Sequence, residues 1–286
     1  MNRLAHLLLL DIRLLAKSKV FYFKLILLPL ALILILGSLF DGSGSRPADT
    51  RPVHTAAALA IPKVVVAVHT KPVNIMEYES TAMAVMFSIL TAFELAHGIV
   101  KDKLSHTLPR IRSTPTLTIQ YALGKLLGIT LAITVQMTVV IAGSRIIFGV
   151  VWPRIPEVLL VTVAYGFAVG AIVLACGFAA RNHATISSFA TPILYSFSFL
   201  GGSFVDKYSF PGALRVIQQA IPNGKAINCY LTLFQGGGLR EIYPDMLKLA
   251  AIGAAFFGLS LFLLNGKRWR EHADVHHDHK AAPADA

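Results

Sequence analysis

The residues best suited to specific interactions lie in one cationic stretch, residues 101–115, which reads KDKLSHTLPRIRSTP. Asp102 stands there among four basic residues and two prolines, Pro109 and Pro115. The prolines limit any helix to short pieces, so the backbone of this stretch is stiff. A short basic element of this kind can dock into a groove on a soluble protein. A solvated loop that only orients the chain is the equally open alternative.

A second pair of ionisable residues, Glu94 and His97, lies just before this stretch. Residues three apart share one face of a helix. Ionisable groups inside a membrane segment are functional candidates by default, so this pair is a possible intramembrane polar site. Both side chains can instead reach interfacial water, because they lie near the end of the apolar run.

The motifs of nucleotide-binding proteins and hydrolases are absent from the sequence. None of the three Gly-Lys pairs has a glycine five residues upstream or a following Ser or Thr, so none forms a Walker motif. The sequence has no HExxH and no GxSxG, so we expect no catalytic residue and no metal centre. The tail carries a histidine-rich tract, 272–279, which binds metal weakly or is simply a charged end, and we favour the charged end.

The composition indicates a membrane protein. Hydrophobic residues make up 55% of the chain and charged residues 14%, and the mean hydropathy is +0.64. The net charge of +11 fits basic loops that orient a membrane protein better than nucleic-acid binding, because no basic patch carries interleaved aromatic residues. Cys176 falls inside an apolar run and Cys229 outside one, so we expect no disulfide bond.

The elements that must position these residues are helices, and we predict an all-α membrane protein with three parts. Residues 1–19 form an amphipathic helix at the membrane interface, or else an extension of the first span. Residues 20–265 form a six-span domain, and residues 266–286 form a His-rich tail. The predicted spans are 20–40, 78–100, 126–150, 157–180, 184–204 and 246–265, each long enough to cross a bilayer.

The segments between the spans differ in character. Segment 41–77 is short and has room for one or two strands, and segment 101–116 is the basic loop. Segment 205–245 alternates apolar patches with Gly and Pro. Within it, we predict two short helices, 211–221 and 225–235, that do not cross the membrane and are separated by a break at Pro222-Asn223-Gly224.

Two pairs of glycines recur at helical spacing, Gly124 with Gly128 and Gly166 with Gly170. Small residues four apart let two helices approach closely in lipid. We therefore expect tight helix packing at these positions, either within one chain or between two chains.

The distribution of basic residues favours cytoplasmic termini. With both termini inside, the inner segments carry 13 Lys and Arg and the outer segments 9, over a longer stretch of chain. Basic residues concentrate in cytoplasmic loops, so the loop 101–116 is predicted to face the cytoplasm.

Two stretches resemble a known family, the type-2 permeases of ABC exporters. In the loop, these are Asp102, Thr107-Leu108, Arg110, the run Ser113-Thr114-Pro115, and then Gly124-Lys125. The loop departs from the family pattern at Ser105, His106 and Pro109. The outer stretch 201–237 is similar to the re-entrant helical hairpin that follows the fifth span in this family. The likeness extends from about residue 78 to 270.

The resemblance implies a permease without its own ATPase activity or cofactor, in the cell membrane as a multi-pass protein. Two permease chains, identical or different, would pair with the pathway between them. Two separate ATPase subunits would hold ATP and Mg²⁺ and dock at the loop. The implied coupling residues are Asp102, Lys103, Thr107, Arg110 and Arg112. The implied transport is outward, and apolar spans in contact with lipid suit an amphipathic, lipid-like or drug-like substrate.

Two other functions remain open. An ion-coupled secondary transporter requires carboxylates near the membrane midplane, and Glu94 is the only acid well inside a predicted span. An intramembrane enzyme requires a convergent nucleophile or metal set, and none is present in the sequence. An ATPase that co-purifies with the chain would distinguish the exporter from both.

Overall fold

The structure, a computed structural model, describes residues 27–41, 73–105, 118–203 and 221–265. All regular structure within these ranges is helical, as the sequence predicts. In chain order the helices are α1 (Leu28–Asp41), α2 (Ile75–Leu104), α3 (Thr118–Phe148), α4 (Ile155–Ala179), α5 (His183–Leu200), α6 (Pro222–Phe234) and α7 (Leu239–Asn265). The predicted helix 1–19, the predicted tail and nearly all of segment 41–77 lie outside the described residues.

Four helices, α2, α3, α4 and α7, are long and apolar enough to cross a membrane. They contain 30, 31, 25 and 27 residues, and each exceeds the roughly 20 residues that a bilayer core requires. Helix α1, with 14 residues, and helix α5, with 18, are shorter. The six-span count therefore stays a prediction, while the described residues are all-helical where they are regular and include four candidate spans.

Two spans begin about two helical turns earlier than the sequence predicts. Helix α3 begins at Thr118 rather than at 126, and α7 begins at Leu239 rather than at 246. In each case the additional turns carry charged residues, and a span predicted from a run of apolar residues therefore begins after them. The helices continue because these charges find partners, as Asp245 does in α7.

Helix α4 is at the centre of the bundle, where it packs against α2, α3 and α7. The most apolar windows of α2 and α4 are both 72% buried, whereas that of α7 is only 22% buried. Gly166 and Gly170 of α4 face α3: a Cβ at Gly166 would lie 3.3 Å from the carbonyl oxygen of Thr130. Close packing at this glycine pair is confirmed, and the two helices belong to the same chain.

The break predicted at Pro222-Asn223-Gly224 is wrong, because these residues form the first turn of α6. Proline suits a first helical turn, since the N–H that it lacks would have no partner within the helix. With 13 residues, α6 is about 20 Å long, too short to cross the membrane. Residues 211–220 lie outside the described residues, so the hairpin as a whole stays a prediction.

The successive helices α2, α3 and α4 run in alternating directions, which gives the bundle two distinct ends. At one end, which we call the loop end, α2 terminates and α3 begins, on either side of segment 106–117. Side-chain contacts bring the C-terminus of α4 and the start of α5 to this end. The opposite end, the hairpin end, contains α6, where Trp152 packs edge-on against Tyr230.

Candidate functional site

Lys103, on the last turn of α2, points into the bundle. Lys103 is only 9% exposed. Its ammonium donates hydrogen bonds to the carbonyl oxygens of Gly177 at 2.7 Å, Phe178 at 2.8 Å and Ala180 at 3.0 Å. These carbonyls end α4, where no further turn supplies N–H donors. A cation is favourable there because the helix dipole places partial negative charge at the C-terminus. Lys103 therefore caps α4 from α2.

Asp102, the neighbour of Lys103, joins α2 to α3 instead. Its carboxylate lies 3.0 Å from the ammonium of Lys125 and accepts a hydrogen bond from the hydroxyl of Tyr121 at 3.0 Å. The ammonium of Lys125 also lies 5.9 Å from the centre of the Tyr121 ring, within range of a cation–π contact. The Lys125 and Asp102 side chains are 13% and 25% exposed, so this ion pair is partly screened from water.

The two adjacent residues thus fix the end of α2 to two different helices. Asp102 holds the start of α3, and Lys103 holds the end of α4. These contacts join α2, α3 and α4 at the point where the described part of α2 ends. The family resemblance implies a coupling role for Asp102 and Lys103, and the structure places their charged groups against the chain's own helices. Of the other predicted coupling residues, Thr107, Arg110 and Arg112 lie outside the described residues.

Replacing Lys103 with methionine should lower the free energy of unfolding by about 1–3 kcal/mol. Three carbonyls at the end of α4 would lose their donor, while the removal of a buried charge offsets part of that loss. The measurement is the unfolding transition of the purified protein in detergent. Lys101→Met, an exposed lysine on the same turn, is the matched control and should change stability little. Equal stability of the two variants would contradict the capping role.

The predicted pair Glu94 and His97 lies on α2, near the loop end. Glu94 is exposed and His97 is partly buried. The Nδ1 atom of His97 lies 3.2 Å from Nδ1 of His183, the first residue of α5, and the two rings are stacked with centroids 5.4 Å apart. Nothing in the sequence indicates His183 as a partner, because it lies between two predicted spans, 86 positions along the chain from His97.

The hairpin end contains a buried polar network that the sequence analysis also missed. The hydroxyl oxygen of Tyr165 in α4 lies 3.0 Å from the carbonyl oxygen of Val85 and 2.8 Å from the side-chain oxygen of Asn223, and its single proton can be donated to either of them. Ser88 donates to the same hydroxyl at 3.2 Å. Nearby, the hydroxyls of Thr162 and Tyr230 lie 2.8 Å apart. The network joins α2, α4 and α6, so the short helix α6 is fixed to the core of the bundle.

An ion pair fixes α6 to α7 as well. The ammonium of Lys225 lies 3.1 Å from the carboxylate of Asp245, and these side chains are only 9% and 15% exposed. Asn228 donates to the same carboxylate at 2.7 Å, and the exposed Lys248 lies 3.4 Å from it. The sequence signals this contact only through two residues of opposite charge, Lys225 and Asp245, in segment 205–245.

The described residues contain no group of three or more His, Cys, Asp or Glu side chains placed to hold a metal ion. Cys176 and Cys229 are both free thiols, as the sequence predicts. At both ends, therefore, the polar groups of the described helices join one helix to another, and none of the arrangements resembles a catalytic constellation.

Comparison with known proteins gives one informative match. A family model described as ABC-2 family transporter protein matches residues 54–262. The match covers most of the chain, including α2 to α6 and nearly all of α7. A sequence search of curated proteins finds no match.

Proposed function

The chain belongs to the ABC-2 transporter family and is thus a membrane component of an ABC transporter, and from this premise we propose that it is the permease half of an ATP-driven exporter. In this proposal a separate ATPase subunit binds segment 101–116, which begins with the last turn of α2, from the cytoplasm. A second permease chain pairs with the first, and an amphipathic, lipid-like or drug-like substrate moves outward between them.

The observation that carries this proposal is the junction at residues 102 and 103. An element that transmits motion from a docked ATPase must be attached firmly to the helices that it moves. Asp102 bonds to α3 through Lys125 and Tyr121, and Lys103 bonds to the end of α4. A partner that displaces the loop would therefore act on α2, α3 and α4 as one body, and α4 is central to the bundle. Such a junction supports a two-state change driven by nucleotide binding.

Helix α5 is the best candidate for lining the pathway. Only Ile186 and Ser198 are buried on this helix, and its exposed residues include Ser188, Thr191 and Tyr195. Residues three and four apart share one helical face, so these three hydroxyl groups form a polar stripe. Ser188 donates to a carbonyl of its own helix at 3.0 Å. A stripe that mixes hydroxyls and aromatic rings suits an amphipathic substrate or a second permease chain better than it suits lipid.

Purification of the intact chain from its native membranes in mild detergent tests the proposal. We expect an ATPase with a Walker motif and a second permease chain to co-elute, and a cysteine introduced at Thr191 to cross-link to that second chain. The ion-coupled alternative predicts that no ATPase co-elutes and that an ion gradient alone drives transport. That result would overturn the proposed function.

The same preparation in sealed vesicles tests the orientation. The counts of basic residues support cytoplasmic termini, and the loop 101–116 then lies on the same side. A cysteine at Val275 should react with a membrane-impermeant reagent only when the cytoplasmic face is accessible. Labelling from the external face would contradict this topology.

A further inference from the structure

Two buried aromatic side chains connect α3 to α4 at the loop end. Tyr121 lies in the first turn of α3 and Phe178 in the last turn of α4, and each is only 2% exposed. Their ring centroids are 6.2 Å apart and the ring planes are inclined at 35°, within the range in which aromatic rings attract each other beyond the effect of burial. The start of α3 and the end of α4 therefore contact each other directly.

The same two residues also contact the end of α2. The hydroxyl of Tyr121 donates to the carboxylate of Asp102 at 3.0 Å. The ammonium of Lys103 donates to the carbonyl oxygen of Phe178 at 2.8 Å and lies 5.8 Å from the centre of the Phe178 ring, close enough for a cation–π contact. Because Asp102 and Lys103 are adjacent in the chain, these four residues form a closed ring of contacts through three helices.

The hydroxyl of Tyr121 does more than fill space. Phenylalanine at this position would fill almost the same volume and keep the ring contact with Phe178. The carboxylate of Asp102 already has a counter-charge, the ammonium of Lys125 at 3.0 Å, so the hydroxyl is not needed to neutralise it. Positions 121 and 125 share one face of α3, so the hydroxyl and the ammonium together hold the carboxylate at two points on that face.

We propose that Tyr121 and Phe178 are positioning residues of the coupling step, a proposal that rests on the function proposed above. A displacement of α2 reaches α3 through the carboxylate of Asp102 and reaches α4 through the ammonium of Lys103. The contact between the two aromatic rings makes α3 and α4 move together. Without it, each helix would be attached to α2 by its own polar contacts, and the two could separate. Both rings are buried, so they act through Asp102 and Lys103 rather than by touching the ATPase.

The first experiment separates docking of the ATPase from coupling to it. The purified ATPase is combined with full-length permease in lipid nanodiscs, as the parent, Tyr121→Phe or Phe178→Leu, and its affinity and its rate of ATP hydrolysis are measured. We expect both variants to bind the ATPase with the parent affinity. The change in hydrolysis rate that the parent causes should be smaller by about 2- to 30-fold, the effect of substitutions along a coupling network. Loss of stability alone would not separate these two quantities.

Phe234→Leu is the matched control. Phe234 is 4% exposed, and its ring centroid lies 4.9 Å from that of Trp152, so this variant breaks a buried aromatic pair at the hairpin end. Its unfolding midpoint should fall as that of Phe178→Leu does, while its effect on ATP hydrolysis should equal that of the parent. If Phe234→Leu reduces the rate change as much as Phe178→Leu does, the effect is one of stability and the proposal fails.

A second measurement uses the permease alone. Spin labels on cysteines introduced at two exposed positions, Ile119 and Ala179, report the distance between the start of α3 and the end of α4, with both native cysteines replaced by alanine. The distribution of this distance should broaden in Phe178→Leu and stay as in the parent in Phe234→Leu. An unchanged distribution in Phe178→Leu would overturn the proposal, whatever the ATPase does.

The outcomes also distinguish this proposal from the proposed function. If the parent permease neither binds the ATPase nor changes its rate, the proposed function fails and the coupling role of the aromatic pair fails with it. If the parent does both, and Tyr121→Phe and Phe178→Leu match it, only the coupling role of the aromatic pair fails.

Discussion

Replacing Asp245 with leucine should lower the free energy of unfolding by about 3–5 kcal/mol, because it leaves the ammonium of Lys225 buried without a counter-charge. The Lys225 side chain is only 9% exposed, so water cannot take the place of the carboxylate. Asn228 would lose its acceptor as well. The measurement is the unfolding transition of the purified protein in detergent, read by the intrinsic fluorescence of Trp152, which packs against α6.

Three further variants make this prediction specific. Lys225→Met should have a smaller effect, since Asp245 would keep Asn228 and Lys248 as partners. Combining Lys225→Met with Asp245→Leu should restore much of the lost stability, because an apolar pair replaces a buried ion pair at little cost. Lys248→Met, which removes an exposed lysine from the same carboxylate, should change stability by about 0–1 kcal/mol. Additive effects in the double variant would contradict a buried, coupled pair.

Reversing the charge of Arg112 should abolish productive docking of the ATPase. If the loop lies in a protein groove, Arg112→Glu leaves a desolvated charge without its partner, which weakens an interface by roughly 2–5 kcal/mol. That range corresponds to a loss of about 30-fold to several thousand-fold in affinity. If the loop is solvated and only orients the chain, Arg112→Glu should change the free energy of ATPase binding by about 0–1 kcal/mol. The measurement is the affinity of the purified ATPase for the permease in lipid nanodiscs.

The variants Arg110→Glu and Lys280→Glu complete this test. Arg110→Glu should behave as Arg112→Glu does, whereas Lys280→Glu in the tail should bind the ATPase normally. All three variants should insert into the membrane and fold as the parent does, because the junction at Asp102 and Lys103 remains intact. If both arginine variants bind the ATPase with unchanged affinity, the loop only orients the chain in the membrane and does not dock the ATPase.

The apolar runs of the sequence predict the long helices because composition and length suffice for that inference. Helices α2, α3, α4 and α7 each cover all but at most two residues of a predicted span, and the Gly166 and Gly170 pair correctly indicates close packing. These properties are local: they depend on residues within one turn or one helix. The family resemblance is likewise carried by short motifs, and the match to the family model confirms it.

The direction of a charged side chain is not a local property. Lys103 and Lys101 are alike in sequence, yet one is buried and the other exposed. The acceptors of Lys103 are backbone carbonyls more than 70 positions away, which no side-chain pattern reveals. The sequence therefore places both charges in a basic loop, and only the packing of α2 against α4 distinguishes them.

The start of α6 is a second feature that the sequence does not predict correctly. Proline, asparagine and glycine in succession are typical of a turn, so the sequence predicts a break between two helices at Pro222-Asn223-Gly224. In the structure, the side chain of Asn223 accepts a hydrogen bond from Tyr165, and a Cβ at Gly201 would collide with Asn223. These tertiary contacts stabilise a helical turn whose residues have weak helical propensity on their own.

The central claim is that the loop 101–116 connects this chain to an ATPase that drives it. The most direct test is the rate of ATP hydrolysis by the ATPase reconstituted with the parent permease or with Arg112→Glu. We predict that the parent changes this rate from that of the free ATPase, and that the Arg112→Glu variant leaves it at the free rate. Equal rates with the two permeases, both different from that of the free ATPase, would contradict a coupling role for the loop.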